Sequence, residues 1–275
     1  STSTSTAAYG PILGPLAAAG TAPCQTPPMA QATPVSAAVR AQPVVQLEVC
    51  GVSVTVVQDA ALTGEETGSY LWEEASEQLV QHVLAQCGGS ARGRRILDLG
   101  CGCGSVGIAL ALLGGRVTLT DVAELLPNIR ANIDANQARV QEAAGAVCCA
   151  ALDWTDPQRG EILRRTGPFD LVVGSELMYA AALNDDTHAP LIDTIKEAMA
   201  TSAAAEPAPV RCAAVLAGEY HFGYEDLFFD EAAAAGLGVQ VLHADTSTLK
   251  VRRKGGGGRE RAPKPRLANP PPSPI

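Results

Sequence analysis

Two hydrophobic periods alternate along residues 44–251. Residues 44–57 switch between apolar and polar at every step around Cys50-Gly51, which predicts a β-hairpin. The period then lengthens: Ala75, Leu79, Val80, Val83, Leu84 and Cys87 share one stripe, so 73–87 reads as an amphipathic helix. A strand is predicted at 95–99, followed by a helix at 105–113 that is apolar all round and so must be buried. Strand 116–120, helix 122–136, strand 146–152, strand 169–174, helix 188–200, strand 210–218 and helix 224–235 follow. Residues 238–243 and 247–252 are expected to close the sheet as an antiparallel pair. Strands and helices alternating at this length imply a doubly wound α/β sandwich.

The connection after the first sheet strand carries the chemistry. It reads Asp98-Leu99-Gly100-Cys101-Gly102-Cys103-Gly104-Ser105-Val106-Gly107. Glycine lets the backbone turn sharply and approach a ligand without a Cβ in the way. The helix that follows offers amide N–H groups without intrahelical partners at its start. The next strand ends in Asp121, whose carboxylate can accept both hydroxyls of a ribose. Such a set describes a nucleoside-bearing cofactor across the carboxyl ends of a parallel sheet. Gly102–Gly107 also satisfies the dinucleotide fingerprint, so the turn alone leaves two cofactors open. Asp98 favours S-adenosylmethionine, because a carboxylate at a strand end can meet the positive end of a methionine moiety. The alternative for Asp98 is a turn or capping residue.

Composition sets the limits of this domain. The first 47 residues contain no acid and one base, Arg40, and are rich in Ser, Thr, Ala and Pro. The last 24 hold seven Lys or Arg against one acid, Glu260. Residues 1–43 and 252–275 are therefore expected to be disordered, leaving 44–251 as the folded domain. Residues 46–251 carry 12 basic and 28 acidic side chains, a net −16 that argues against nucleic acid as the main partner. No apolar run reaches the ~18 residues of a membrane span. Eight cysteines without a Cys-x-x-Cys pair, and four scattered histidines, predict no metal and a reducing compartment. The cytoplasm is expected, with nucleus or plastid as alternatives, and the protein is expected to be a monomer.

Scarce aromatics mark further candidates. Trp72 precedes the first helix and Trp154 follows strand 146–152, so either indole can wall off an adenine or simply fill the core. Asp153 can accept from the adenine amino group. After strand 169–174 comes Ser175-Glu176-Leu177-Met178-Tyr179, at a carboxyl end beside the glycine turn. Glu176 and Tyr179, three residues apart, share a face on a helical turn and can grip an amine. Their plainer reading is a helix cap and a packing residue. Asn128, Asn132 and Asn136 form an i, i+4, i+8 stripe. This stripe reads as hydrogen bonding to loops around the cofactor, or as a solvated polar face, the latter preferred for Asn136.

Taken in order, these pieces resemble the seven-strand S-adenosylmethionine-dependent methyltransferases. Within them they resemble the family 16 protein-lysine methyltransferases, the methyltransferase-like 21 group. The matching stretches are Gly68–Trp72, Asp98–Ile108, Val117–Asp121, Leu126–Asn136, Leu152–Trp154 and Glu176–Tyr179. The resemblance implies a Rossmann-like seven-stranded sheet, mostly parallel with its last strand antiparallel, flanked by helices and extended by the N-terminal hairpin. It implies that Trp72, Gly100, Cys101, Gly102, Asp121, Trp154 and Ser175 contact S-adenosyl-L-methionine, beside the Asp98, Gly104 and Asp153 read above. Glu176 and Tyr179 would face the ε-amine of a lysine in a protein substrate. The chain departs from the family in three places. Glu176 stands where Asp is more frequent, Cys101 and Cys103 stand where Ala and Thr are common, and Glu219-Tyr220-His221 lies where relatives often carry arginine.

The expected activity is transfer of the sulfonium methyl group to a protein lysine. A small-molecule or nucleobase N-methyltransferase on the same sheet is the main alternative, although no Asn/Asp-Pro-Pro-Tyr motif follows strand four. A nicotinamide-dependent oxidoreductase and a non-catalytic binding module are further alternatives.

Overall fold

The computed structural model describes residues 6–9, 44–58, 71, 73–178, 188–203, 212–219, 224–239 and 241–243. All of them fall within 1–244. In chain order the elements are β1 (Thr6–Tyr9), β2 (Val44–Val49), β3 (Val52–Val57), α1 (Glu73–Gln86), β4 (Arg95–Leu99), α2 (Ser105–Leu112), β5 (Arg116–Asp121), α3 (Leu126–Glu142), β6 (Ala146–Ala151), α4 (Arg159–Thr166), β7 (Leu171–Ser175), α5 (His188–Ala203), β8 (Ala213–Glu219), α6 (Tyr224–Ala234) and β9 (Val241–His243).

The main sheet has seven strands in the order β6-β5-β4-β7-β8-β1-β9. β4 pairs in parallel with β5 and with β7, β5 with β6, and β7 with β8. Strand order therefore reverses between β4 and β7, the position where open α/β sheets bind ligands beyond their carboxyl ends. The antiparallel neighbour of β8 differs from the expected one. It is β1, from the low-complexity N-terminal stretch, and β9 pairs antiparallel with β1 in turn. A composition that cannot supply a core can still supply backbone hydrogen bonds, and the edge of β8 needs them. Residues 247–252 lie outside the described residues.

Successive strand residues face opposite layers. Ile96, Leu171, Val173, Val215 and Ala217 join the core beneath α1, α2, α3 and the hairpin. Leu97, Leu99, Val172 and Leu216 join the second core beneath α4, α5 and α6. At the amino end Arg95 staples β4 to β7. Its Nη2 donates to Asp170 Oδ1 at 2.7 Å and its backbone N–H to Oδ2 at 2.8 Å, around a carboxylate that is 2% exposed. Asp170 thus caps the strand predicted from 169, which begins at Leu171.

The hairpin forms as predicted, with Cys50 (φ 49°) and Gly51 (φ 81°) both left-handed, as a two-residue turn between twisted strands requires. Its seat corrects the reading of the asparagine stripe. Asn132 and Asn136 are fully buried. Asn136 Oδ1 accepts from Thr55 N–H at 3.0 Å and its Nδ2 donates to Thr55 O at 2.8 Å. Asn132 does the same for Val57, at 2.6 Å and 3.2 Å, and also donates to Cys103 O at 2.8 Å. The carboxamides act as a surrogate strand on the open edge of β3, one amide per two residues. Helix α3 also runs to Glu142 rather than 136, and starts at Leu126 after a 3-10 turn at Ala123–Leu125. Pro127 in its first turn suits that start, because a proline there loses no hydrogen bond.

Among the described residues no helix is long and apolar enough to cross a membrane.

Candidate active site

Gly100 (φ 54°), Gly102 (φ 56°) and Gly104 (φ 81°) place every second residue of the turn in the left-handed region. Only glycine adopts that conformation without strain. The winding is fixed by two backbone bonds, Cys101 N–H to Thr120 O at 3.0 Å and Gly104 N–H to Cys101 O at 2.8 Å. Gly104 is also the N-cap of α2 and brings no side-chain acceptor to it. A Cβ on Gly107 would fall 2.8 Å from Asp98 Oδ2 and 2.9 Å from Val117, so this glycine lets α2 press onto the sheet.

Asp98 is 1% exposed, and its Oδ2 accepts the Gly107 N–H at 2.9 Å. The carboxyl group lies beneath the first turn of α2, the turn-residue reading of the sequence. Burial pushes it up to about 8, opposed by the Gly107 bond and reinforced by the charge of Asp121. The Cys101 thiol is raised well above its ordinary value, first by desolvation and then by Asp121 and Asp98. It is therefore a poor nucleophile.

Asp121, at the tip of β5, has its carboxylate plane fixed by two amides. Oδ2 accepts from Gly102 N–H and Oδ1 from Val122 N–H, both at 2.8 Å. The two amides aim this carboxylate from the strand tip, beside the glycine turn.

Trp154 stands against the glycine turn. A Cβ on Gly100 would lie 3.0 Å from Trp154 Cζ2 and 2.7 Å from Leu177 Cδ2. The missing side chain of Gly100 thus makes room for the indole and for Leu177. Asp153 Oδ1 accepts from both the backbone N–H and the hydroxyl of Thr155, at 2.8 and 2.7 Å, which shapes the loop that presents Trp154.

At the end of β7, the buried hydroxyl Oγ of Ser175 has no hydrogen-bond partner. Glu176 follows at φ 60°, strained for a residue with a Cβ, and its N–H donates to Ala217 O at 2.8 Å. Backbone held in this region gathers at functional sites. Trp72 and Tyr179 lie outside the described residues.

The structure therefore brings Asp98, Gly100, Cys101, Gly102, Gly104, Asp121, Asp153, Trp154, Ser175 and Glu176 to the carboxyl edge of β4 to β7. It adds two residues that sequence reasoning missed. Leu177 fills the space above Gly100. Asn128, in the first turn of α3, is 1% exposed with neither end of its carboxamide bonded. Its place in the stripe was visible, but only the buried setting shows that the third amide lacks the strand edge that satisfies the other two.

Orphaned Asn128 and Ser175, a carboxylate oriented at the tip of β5 and an indole beside the turn fit a ligand with a diol, a flat base and a polar tail. S-adenosylmethionine is such a molecule.

Comparison with known proteins agrees. The family model described as lysine methyltransferase matches residues 54–208, more than half of the chain. Protein-lysine N-methyltransferase rrg1 of Schizosaccharomyces pombe is 33% identical over 47% of this chain and 43% of its own length. EEF1A lysine methyltransferase 3 of Xenopus tropicalis is 35% identical over 38% and 42%. Protein N-lysine methyltransferase METTL21A of Danio rerio is 32% identical over 38% and 44%. The chain spans less than half the length of these relatives.

Proposed function

The chain belongs to the lysine methyltransferase family, and from that membership we propose that it methylates the ε-amine of a lysine in a protein substrate. The observation that carries this reading is the meeting of Trp154 and Gly100, which brings the loop after β6 against the glycine turn after β4. When bound, S-adenosyl-L-methionine supplies a methyl group already activated on a sulfonium.

The protein's share of the work is orientation and exclusion of water. Asp121 would hold the ribose hydroxyls, Gly100–Gly104 would keep the backbone low enough for close approach, and Trp154 with Trp72 would enclose the adenine. Asp153 would accept from the adenine amine, and Ser175 Oγ would gain the partner it lacks. Glu176 receives the target amine. Lysine carries a proton at neutral pH, with a reference pKa of ~10.4, so that proton must leave before transfer. A carboxylate beside the amine orients its lone pair while water takes the proton, and Tyr179 confines it. Glu is one methylene longer than Asp, which sets the amine further from the strand end.

The partner is a protein, the enzyme acts as a monomer, and the free thiols of Cys50, Cys87, Cys101, Cys103, Cys148, Cys149 and Cys212 suit the reducing cytoplasm.

Glu176→Ala tests the assignment. Methyl transfer should fall at least 100-fold while the affinity for S-adenosylhomocysteine, measured by calorimetry, stays within about twofold. Equal loss of both would place Glu176 in cofactor binding instead.

A further inference from the structure

Helix α4 was not expected from the sequence, and it brings an arginine into contact with the site. The Arg159 guanidinium joins the loop after β6 to α5. Nη1 donates to the carbonyl oxygen of Trp154 at 3.3 Å and Nη2 to Glu197 Oε1 on α5 at 2.9 Å, with Asp193 Oδ2 at 3.8 Å. The chain between Trp154 and Arg159 is itself wound tightly. Asp156 N–H donates to Asp153 O at 3.2 Å, Gln158 N–H to Asp156 Oδ1 at 2.7 Å and Arg159 N–H to Asp156 O at 3.0 Å.

We propose that Arg159, aimed by Glu197, is a positioning residue for the cofactor: it fixes the Trp154 carbonyl and thereby the indole that closes the pocket over Gly100. The proposal rests on the reading of Trp154 as a wall of the cofactor pocket. Folding stability alone does not fix the arrangement. Arg159 is 18% exposed and Glu197 40%, so water screens one side of the pair and its contribution to folding is modest. Geometry does account for it. Trp154 follows the last ladder bond of its strand end, Leu152 N–H to Asp121 O at 2.8 Å, so its carbonyl lies beyond the sheet. A planar guanidinium has donors pointing in two fixed directions, and here one end meets the carbonyl while the other meets the carboxylate. A lysine ammonium reaches one of them at a time. Arg159→Lys is therefore not a conservative change here.

The test uses the full chain labelled with 5-fluorotryptophan. Its two tryptophans give two 19F resonances, and the one lost in Trp154→Phe is assigned to Trp154. In Arg159→Ala, Arg159→Lys and Glu197→Ala the Trp154 resonance should shift or broaden while the Trp72 resonance holds. Titration with S-adenosylhomocysteine should show affinity about tenfold weaker, the scale of one lost charge-assisted hydrogen bond. With methyl acceptor and saturating S-adenosylmethionine, kcat should stay within about twofold as KM for the cofactor rises. An unmoved Trp154 resonance with wild-type affinity overturns the proposal. So does joint movement of both resonances with a collapse of Tm, the mark of a general structural role. Failure of the wild-type chain to bind S-adenosylhomocysteine overturns the functional reading beneath it, whatever Arg159 does.

Discussion

Asp98 shows how one residue can be found in the sequence while its setting stays hidden. Its place before the glycines is plain in the sequence, but the side to which its carboxyl turns depends on α2 pressing close enough for Gly107 N–H to reach it. The consequence is a pH dependence. An unfolded aspartate titrates near ~3.9, whereas burial pushes Asp98 up to about 8. The native state therefore binds more protons than the unfolded state between those values. This contribution to stability is complete below the lower value and is lost as pH rises through the upper one. Asn at 98 keeps an acceptor for Gly107 and cannot ionise. Urea midpoints should show wild type losing stability relative to Asp98→Asn between pH 5 and 8.5, and parallel curves would refute the buried-acid account. Gly100 tests the turn from the other side. An alanine there must hold φ 54° and sit 2.7 Å from Leu177 Cδ2. We expect Gly100→Ala to lose about 1–2 kcal/mol of stability. It should also displace Trp154 and weaken S-adenosylhomocysteine binding, as calorimetry would show.

At the scale of elements, long and strongly periodic segments were legible. The strand at 95–99, the helix from 73 and the hairpin turn at Cys50-Gly51 lie where the pattern places them. What escaped was context. Helix α4 has eight residues and only Leu163 buried, too little periodicity to stand out. The asparagine stripe has the look of a solvated face because period alone cannot show that a strand edge lies across from it. The two readings of that stripe predict opposite signs. On a solvated face, Asn136→Ala gains helix propensity and stabilises by a few tenths of a kcal/mol. Clamped on Thr55, the same change leaves buried backbone groups unpaired and costs about 1–3 kcal/mol. We expect the loss, with Asn132→Ala behaving alike through Val57, read from the urea midpoint at constant m. A stabilised variant would contradict the surrogate-strand role.

For the molecule as a whole, topology explains why residues so far apart in sequence belong to one site. Parallel strands all present their carboxyl ends on one edge, and the reversal between β4 and β7 opens a crevice there. Asp121 ends β5, and Trp154 and Glu176 follow β6 and β7, so all three stand at carboxyl ends of this sheet. The sequence offered the same residues as separate motifs, joined only by their order. Their union depends on the register of β4, β5, β6 and β7, which short apolar strands do not encode individually. The central claim is that this crevice serves methyl transfer to a protein lysine. Incubating cell lysate with S-adenosylmethionine carrying a labelled methyl group, with and without the full chain, tests it most directly. The account predicts a labelled protein band that requires the chain, disappears with Asp121→Ala and yields ε-methylated lysine on digestion. Label confined to nucleic acid or small metabolites would contradict it.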